Sequence, residues 1–218
     1  MTPAKNAACP RRVAGLVLAG GRSRRFGAEK ATALLHGRPL LAWALAALGG
    51  VSEVVTVSAP EGGGAAALAA AMGCPRVGDA PDHAAGPLAG LAAGLAWASS
   101  RGFDLVVSLP CDCPRVGPGE LRALLDATGA GAGAYAVTQG GPQALCAAWR
   151  VGVASALGER LARGKHPSVR AFLEAIGSRP VHFVDTAIFA NLNTPRDLAA
   201  SEATPPPAWL GSPGGRVD

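Results

Sequence analysis

The chain has 218 residues, of which 49% are apolar, and carries a net charge of +5; that combination suits one compact core and excludes a disordered chain. No apolar run is long enough to span a bilayer, and residues 1–12 lack the apolar segment of a secretory signal, so neither insertion nor export is expected. Five cysteines in no regular framework point to a reduced, cytoplasmic setting.

Residues 1–12 read as a flexible leader. Val13 to Ala19 is an apolar run that ends in glycines, the pattern of a buried parallel strand, and a loop follows from Gly20 to Lys30. Leu40 to Leu48 has the apolar density of a helix packed on a sheet, and the β-branched Glu53 to Ser58 reads as the next strand. Helices are expected over Gly63 to Met72 and Pro87 to Ser99, with Pro87 at a first-turn position. Asp104 to Leu109 reads as a strand, Glu120 to Ala127 as a short helix, and Gly133 to Thr138 and Ala144 to Trp149 as further strands.

Val151 to Ala162 and Ser168 to Ile176 look helical, Val181 to Val184 reads as a strand, and a last helix begins near Pro195 with Thr194 as its N-cap. The Pro- and Gly-rich residues 204–218 read as a disordered tail. Alternating strands and helices over residues 13–203 predict a single α/β domain, a mostly parallel sheet with helices on both faces.

Four motifs carry chemistry. Leu18-Ala19-Gly20-Gly21-Arg22-Ser23-Arg24-Arg25-Phe26-Gly27, closing at Lys30, places glycines directly after a strand, where the backbone can approach a ligand and its amides can hold phosphate oxygens. Arg22, Arg25 and Lys30 add charge-assisted bonds to such an anion. The spacing is neither that of a Walker A loop nor that of a dinucleotide GxGxxG; a plain glycine turn with solvated arginines is the competing reading.

Asp112, in Pro110-Cys111-Asp112-Cys113-Pro114, falls just past the carboxyl end of a strand, the edge at which open α/β sheets bind ligands. A lone carboxylate there can hold Mg²⁺ beside substrate phosphates, and a turn aspartate is the alternative. Cys111 and Cys113 lack the partners of a zinc site and read as small buried fillers. Asp79 precedes Gly86-Pro87-Leu88-Ala89-Gly90, a helix opening that favours anions. Asn191-Leu192-Asn193-Thr194-Pro195-Arg196-Asp197 is, by itself, an ordinary helix start. The basic balance would admit nucleic acid, but no helix-turn-helix, zinc-finger or aromatic RNA-binding motif accompanies it. The four histidines are scattered and none pairs with a nucleophile.

The order of these motifs, LAGGRSRRFGAEK, DAPDHAAGPLAGL, LPCDCP and NLNTPRDL, resembles the molybdenum cofactor guanylyltransferase family from about Val13 to Glu202. The resemblance implies a Rossmann-like fold, GTP and Mg²⁺, and transfer of GMP to the terminal phosphate of molybdopterin with release of pyrophosphate. It implies that Leu18, Ala19, Gly20 and Gly21 line the nucleotide, that Lys30 meets phosphate, that Asp79 contacts the nucleotide, that Asp112 binds the metal and that Asn191 and Asn193 face the pterin. Phe26 stands where the family has methionine, Glu29 where it has aspartate, Ser58 near the nucleotide where some members have asparagine, and Ala144 where proline is common.

GTP and molybdopterin are thus the expected partners, with a receiving molybdoenzyme or chaperone beyond them and no nucleic acid or membrane. The competing functions are cytidylyl transfer to molybdopterin, sugar-phosphate nucleotidyl transfer, and nucleotide binding without turnover.

Overall fold

The computed structural model describes residues 11–20, 29–78, 86–164 and 167–210. In chain order the elements are β1 (Val13–Leu18), β2 (Leu34–Leu35), β3 (Arg38–Pro39), α1 (Leu40–Gly49), β4 (Val54–Ser58), α2 (Gly64–Ala71), β5 (Arg76–Val77), α3 (Pro87–Ser100), β6 (Leu105–Pro110), α4 (Pro118–Thr128), β7 (Gly133–Thr138), β8 (Gly141–Arg150), α5 (Val153–Ala162), α6 (Val169–Ala175), β9 (Arg179–His182) and α7 (Pro195–Glu202). Seven strands form one sheet in the order β5-β4-β1-β6-β8-β7-β9. Every pairing is parallel except the two made by β8, which runs antiparallel to β6 and β7.

Side chains alternate across β1 and β6, so the sheet has two apolar faces. Val17, Val107 and Leu109 pack beneath α1, α2 and α4, whereas Leu16 and Val106 pack beneath α3, α5 and α6. This is the expected mostly parallel sheet with helices on both faces. Helix α3 lies very close to it: a Cβ on Gly94 would come 2.4 Å from Leu16 Cδ2, and one on Gly90 would come 2.3 Å from Ser58 Oγ. Gly90 lets the start of α3 sit against the carboxyl end of β4, and Gly94 lets its middle sit on β1.

Several elements differ from the sequence expectation. Strand β8 begins at Gly141 rather than Ala144, because a two-residue connection from β7 extends the hairpin ladder; Gly141 adopts φ +104°, a conformation open to glycine. Strand β9 lies at Arg179–His182, two residues earlier than Val181–Val184, and Val184 is 90% exposed. The register is set by parallel pairing of Arg179–His182 with Ala134–Val137 on an edge strand that buries little, so apolar patterning does not specify it. The β2–β3 ribbon and β5 are each too short for a periodic signal.

The fold also continues past residue 203. Pro205-Pro206-Pro207 carries the chain to a short 3₁₀ turn, Ala208–Leu210. There the Trp209 indole packs edge-on against Trp43, with ring centroids 6.4 Å apart, and its Nε1 donates to Arg115 O at 3.3 Å. Residues 204–210 are therefore docked rather than disordered, because one aromatic anchor and Leu210 supply the apolar contact that the surrounding composition lacks. Residues 211–218 and 1–10 lie outside the described residues. Arg12, placed in the leader, is held by Asp104 and by Glu53 at 2.9 Å. Among the described residues no helix is long and apolar enough to cross a membrane.

Candidate active site

The chain winds from β1 outward to β4 and β5, then returns through α3 to β6 on the other side of β1. The winding reverses between β1 and β6, and a crevice opens at the carboxyl ends of those strands, the place where such sheets bind ligands. The strand ends are fastened together: Cys111 N donates to Leu18 O at 3.2 Å and Ala19 N to Ser58 O at 2.9 Å. A cleft of about 840 Å³ opens above them.

Leu18, Ala19, Gly20, Lys30, Ser58, Asp112, Asn191 and Asn193 all line this one cleft. Gly21, Arg22, Arg25 and Asp79 lie outside the described residues. At the centre, Lys30 Nζ sits 2.8 Å from Asp112 Oδ2 and 2.7 Å from Asn193 Oδ1. The pair is largely shielded, with side chains 15% and 19% exposed, so its attraction is little screened by solvent. One lysine thus joins residues distant in sequence, from the turn after the glycine loop, the end of β6 and the segment before α7.

Lys30 is positioned from its own neighbour. The Glu29 carboxylate accepts the backbone N–H groups of Gly64 and Ala65, capping α2 from outside that helix. The N-cap residue of α2, Gly63, offers no side chain for the purpose. Gly62-Gly63-Gly64 ahead of an alanine-rich helix, with no Ser, Thr, Asp or Asn, was the only sequence signal that a cap must come from elsewhere.

The Asn191 segment is built differently. Leu192 N donates to the Asp112 carbonyl at 2.9 Å, and the Cys113 thiol donates to Asn191 Oδ1. The Asp197 carboxylate then accepts from Asn193 N at 2.9 Å and Thr194 N at 2.8 Å, while Thr194 Oγ1 accepts from Asp197 N at 3.1 Å. This reciprocal capping box starts α7 and holds the Asn193 backbone. The Asn193 amide above all, and then the Thr194 side chain, hold the Asp197 carboxyl below its ordinary value.

The cysteines are packing groups. Burial, and after it the Asp112 charge, pushes the Cys111 thiol up to about 12. A hydrogen bond with Cys146 and then burial raise Cys113 as well. Both are neutral thiols at pH 7 and poor ligands or nucleophiles. Among the described residues no three His, Cys, Asp or Glu side chains gather as a metal cage. Asp112 instead offers one largely shielded carboxylate at the cleft, a donor set that fits Mg²⁺, which takes one or two carboxylates and completes its shell with phosphate oxygens and water.

Sequence reasoning missed the far wall of the cleft, where Gln143 and Leu145 at the start of β8 meet Ser168, Val169 and Arg170. Arg170 is paired with Glu174 at 2.8 Å, and Ser168 caps α6. Nothing local marks these residues; the β7–β8 hairpin and the start of α6 bring them to the cleft.

Comparison with known proteins agrees with this geometry. The family described as MobA-like NTP transferase domain matches residues 15–180. The chain is 41% identical over 193 residues to a molybdenum cofactor guanylyltransferase of Cereibacter sphaeroides, covering 88% of this chain and 96% of that one. It is 41% identical over 191 residues to a molybdenum cofactor guanylyltransferase of Acidiphilium cryptum, covering 86% and 93%. The fold matches the crystal structure of molybdopterin-guanine dinucleotide biosynthesis protein A from Archaeoglobus fulgidus with a TM-score of 0.70 and 24% identity, covering 87% and 97% of the two chains.

Proposed function

This chain belongs to the MobA-like NTP transferase family, whose molybdenum cofactor guanylyltransferases it matches over most of its length, and from that premise we propose how its cleft transfers a guanylyl group. GMP moves from GTP to the terminal phosphate of molybdopterin, pyrophosphate leaves, and molybdopterin guanine dinucleotide forms. An acceptor phosphate oxygen bonds to the α-phosphorus of GTP as the bond from that phosphorus to the bridging oxygen breaks. The acceptor is a phosphate monoester with a second pKa of about 6, largely ionised at neutral pH, so the step needs alignment and charge neutralisation rather than a base. Among the described residues no histidine lines the cleft, which suits that chemistry.

The observation that supports these roles best is the meeting of Lys30, Asp112 and Asn193 at the switch point of the sheet. Leu18, Ala19, Gly20 and Gly21 line the nucleotide, with Ser58 and Asp79 contacting it. Asp112 would hold Mg²⁺, which would supply charge neutralisation at the triphosphate. Lys30, with Arg22 or Arg25, donates to the phosphates and stabilises the charge that grows on the leaving pyrophosphate. Asn191 and Asn193 face the pterin. Cys74, Cys111, Cys113 and Cys146 are free thiols, in keeping with a reducing cytoplasm.

The test is to incubate the protein with labelled GTP, Mg²⁺ and molybdopterin, follow pyrophosphate, and repeat with CTP. Among the described residues a Cβ on Gly20 would meet only Pro60 Cδ at 3.9 Å, so Gly20→Ala is expected to act on the bound base. The wild type should prefer GTP, and Gly20→Ala should narrow the kcat/KM preference by about tenfold, the effect of one misplaced methyl. Preference for CTP in the wild type would transfer the reading to cytidylyl transfer; an unchanged ratio in Gly20→Ala would place base selection elsewhere in the cleft.

A further inference from the structure

The C-terminal segment after α7 crosses back to the loop that carries Asp112, and it does so through one side chain. From Asp112 the backbone makes successive tight turns, Cys113 N to Pro110 O and Val116 N to Cys113 O, both 3.3 Å, before Gly117 caps α4. The Trp209 indole sits on the far end of that unit. Its Nε1 donates to Arg115 O at 3.3 Å, and the Arg115 guanidinium reaches back to Pro205 O at 3.5 Å. Gly117 provides the seat: a Cβ there would come 2.5 Å from Trp209 Cδ1 and 2.7 Å from Nε1. With φ −111°, Gly117 has a backbone that any residue adopts, so the side chain is absent for the indole's sake and not for conformational freedom.

The same indole also faces the other loop. Trp209 packs against the small apolar cluster of Leu35, Leu40, Trp43 and Leu192, and Leu192 lies between the two cleft asparagines. It also borders the main core beneath α1, α2 and α4. Arg115 is three residues from Asp112, and Leu192 N is bonded to the Asp112 carbonyl. One partly buried ring therefore meets the Asp112 loop directly, at Arg115 and Gly117, and the Asn191–Asn193 segment through the cluster that holds Leu192, without lining the cleft.

We infer that Trp209 is a positioning residue for guanylyl transfer: seated on Gly117, it holds the Asp112 loop in register with the Asn191–Asn193 segment, so that the carboxylate stands ready for the metal and triphosphate. The inference rests on the reading of Asp112 as the metal-holding carboxylate. Small displacements of such a group cost on the order of a hundredfold in rate. The base-binding wall, built from the ends of β1 and β4, is anchored independently of the strap, so nucleotide KM is set elsewhere.

The test uses the full chain and three variants: Trp209→Ala, Gly117→Ala and the double variant, with Trp209→Phe as the conservative control. Mn²⁺ is titrated against each protein with an α,β-methylene GTP analogue present and read by spin resonance, alongside kcat, KM and thermal melting. Trp209→Ala should weaken Mn²⁺ binding and lower kcat by roughly tenfold or more while KM for GTP hardly moves. Gly117→Ala, which evicts the indole, should do the same, and the double variant should be no worse than either single one, since both remove one contact. Trp209→Phe should recover most of both losses and keeps the test alive if Trp209→Ala does not fold. Unchanged Mn²⁺ binding in folded Trp209→Ala or Gly117→Ala, or additive losses in the double variant, overturns the inference. Asp112→Asn, run in parallel, separates the two readings: if it leaves Mn²⁺ binding intact, the metal assignment itself falls, whereas its loss beside an unaffected Trp209→Ala removes only the strap's role.

Discussion

The two loops that meet at Lys30 are held by different physics. The Asp112 loop grows from β6, whose residues Leu105–Leu109 are buried, and its flanking thiols Cys111 and Cys113 are 6% and 1% exposed. The Asn191–Thr194 segment grows from no strand. Leu192 supplies its one buried anchor, and the rest is hydrogen bonding: to the Asp112 carbonyl, to Lys30, and to a capping carboxylate on α7. Burial fixes the group that carries charge, and hydrogen bonds aim the groups that carry neutral amides. A loop of the first kind should keep its place but lose its function when its charge is removed; a loop of the second kind should give way in smaller steps as its hydrogen bonds are removed.

The sharpest break is Asp112→Asn. The substitution preserves shape in a loop whose position depends on packing, so the fold should survive while turnover falls on the order of a hundredfold or more, the usual consequence of losing one key electrostatic group. Pyrophosphate release and thermal melting measured together check this. Near-normal turnover in a folded protein would mean that the buried loop carries no catalytic charge.

Lys30→Ala should have an intermediate effect, because it removes the link between the two loops as well as a phosphate ligand. Charge-assisted bonds of this type contribute about 1.5–3 kcal/mol, so GTP binding should weaken by roughly tenfold to a hundredfold. The loss should grow from GMP to GDP to GTP if Lys30 meets the outer phosphates, and titration calorimetry on the three nucleotides reads it directly. Equal losses for all three would reduce Lys30 to a structural bridge between Asp112 and Asn193.

The contrast between the loops also explains what the sequence disclosed. The strands of the parallel half, β1, β4 and β6, are buried runs that announce themselves, and the glycines and the aspartate that follow β1 and β6 stand at the edge where such sheets bind ligands. Leu18, Gly20, Lys30 and Asp112 were legible for that reason. The cap that Glu29 places on α2, and the presence of Gln143 and Arg170 at the cleft, were not, because only the tertiary fold brings these residues there. Strand β9 slipped by two residues because an exposed edge leaves its register to its partner. The tail misled through composition: four prolines and three glycines outweighed Trp209, whose significance depends on a glycine at position 117, ninety-two residues upstream.

The smallest expected effect concerns the hydrogen-bonded loop alone. Asp197 accepts the Asn193 and Thr194 amides, and those bonds hold its carboxyl below the usual value of about 3.9. A carboxyl lowered on folding contributes stability that is fully present above the unfolded value and is lost as pH falls through the lowered folded one. At neutral pH, Asp197→Asn should therefore melt below the wild type, since the amide side chain cannot accept both N–H groups with a full charge. As pH drops below about 4, the carboxyl of the unfolded chain takes up a proton first, so the gap between the two proteins should begin to narrow, and it should close as the pH falls through the lowered folded value. Melting curves of the variant and wild type from pH 7 to pH 3 test this. A gap between wild type and Asp197→Asn that stays constant across that range would mean that the Asp197 charge does not hold the segment, and that Leu192 and the bond to the Asp112 carbonyl suffice to place the asparagines.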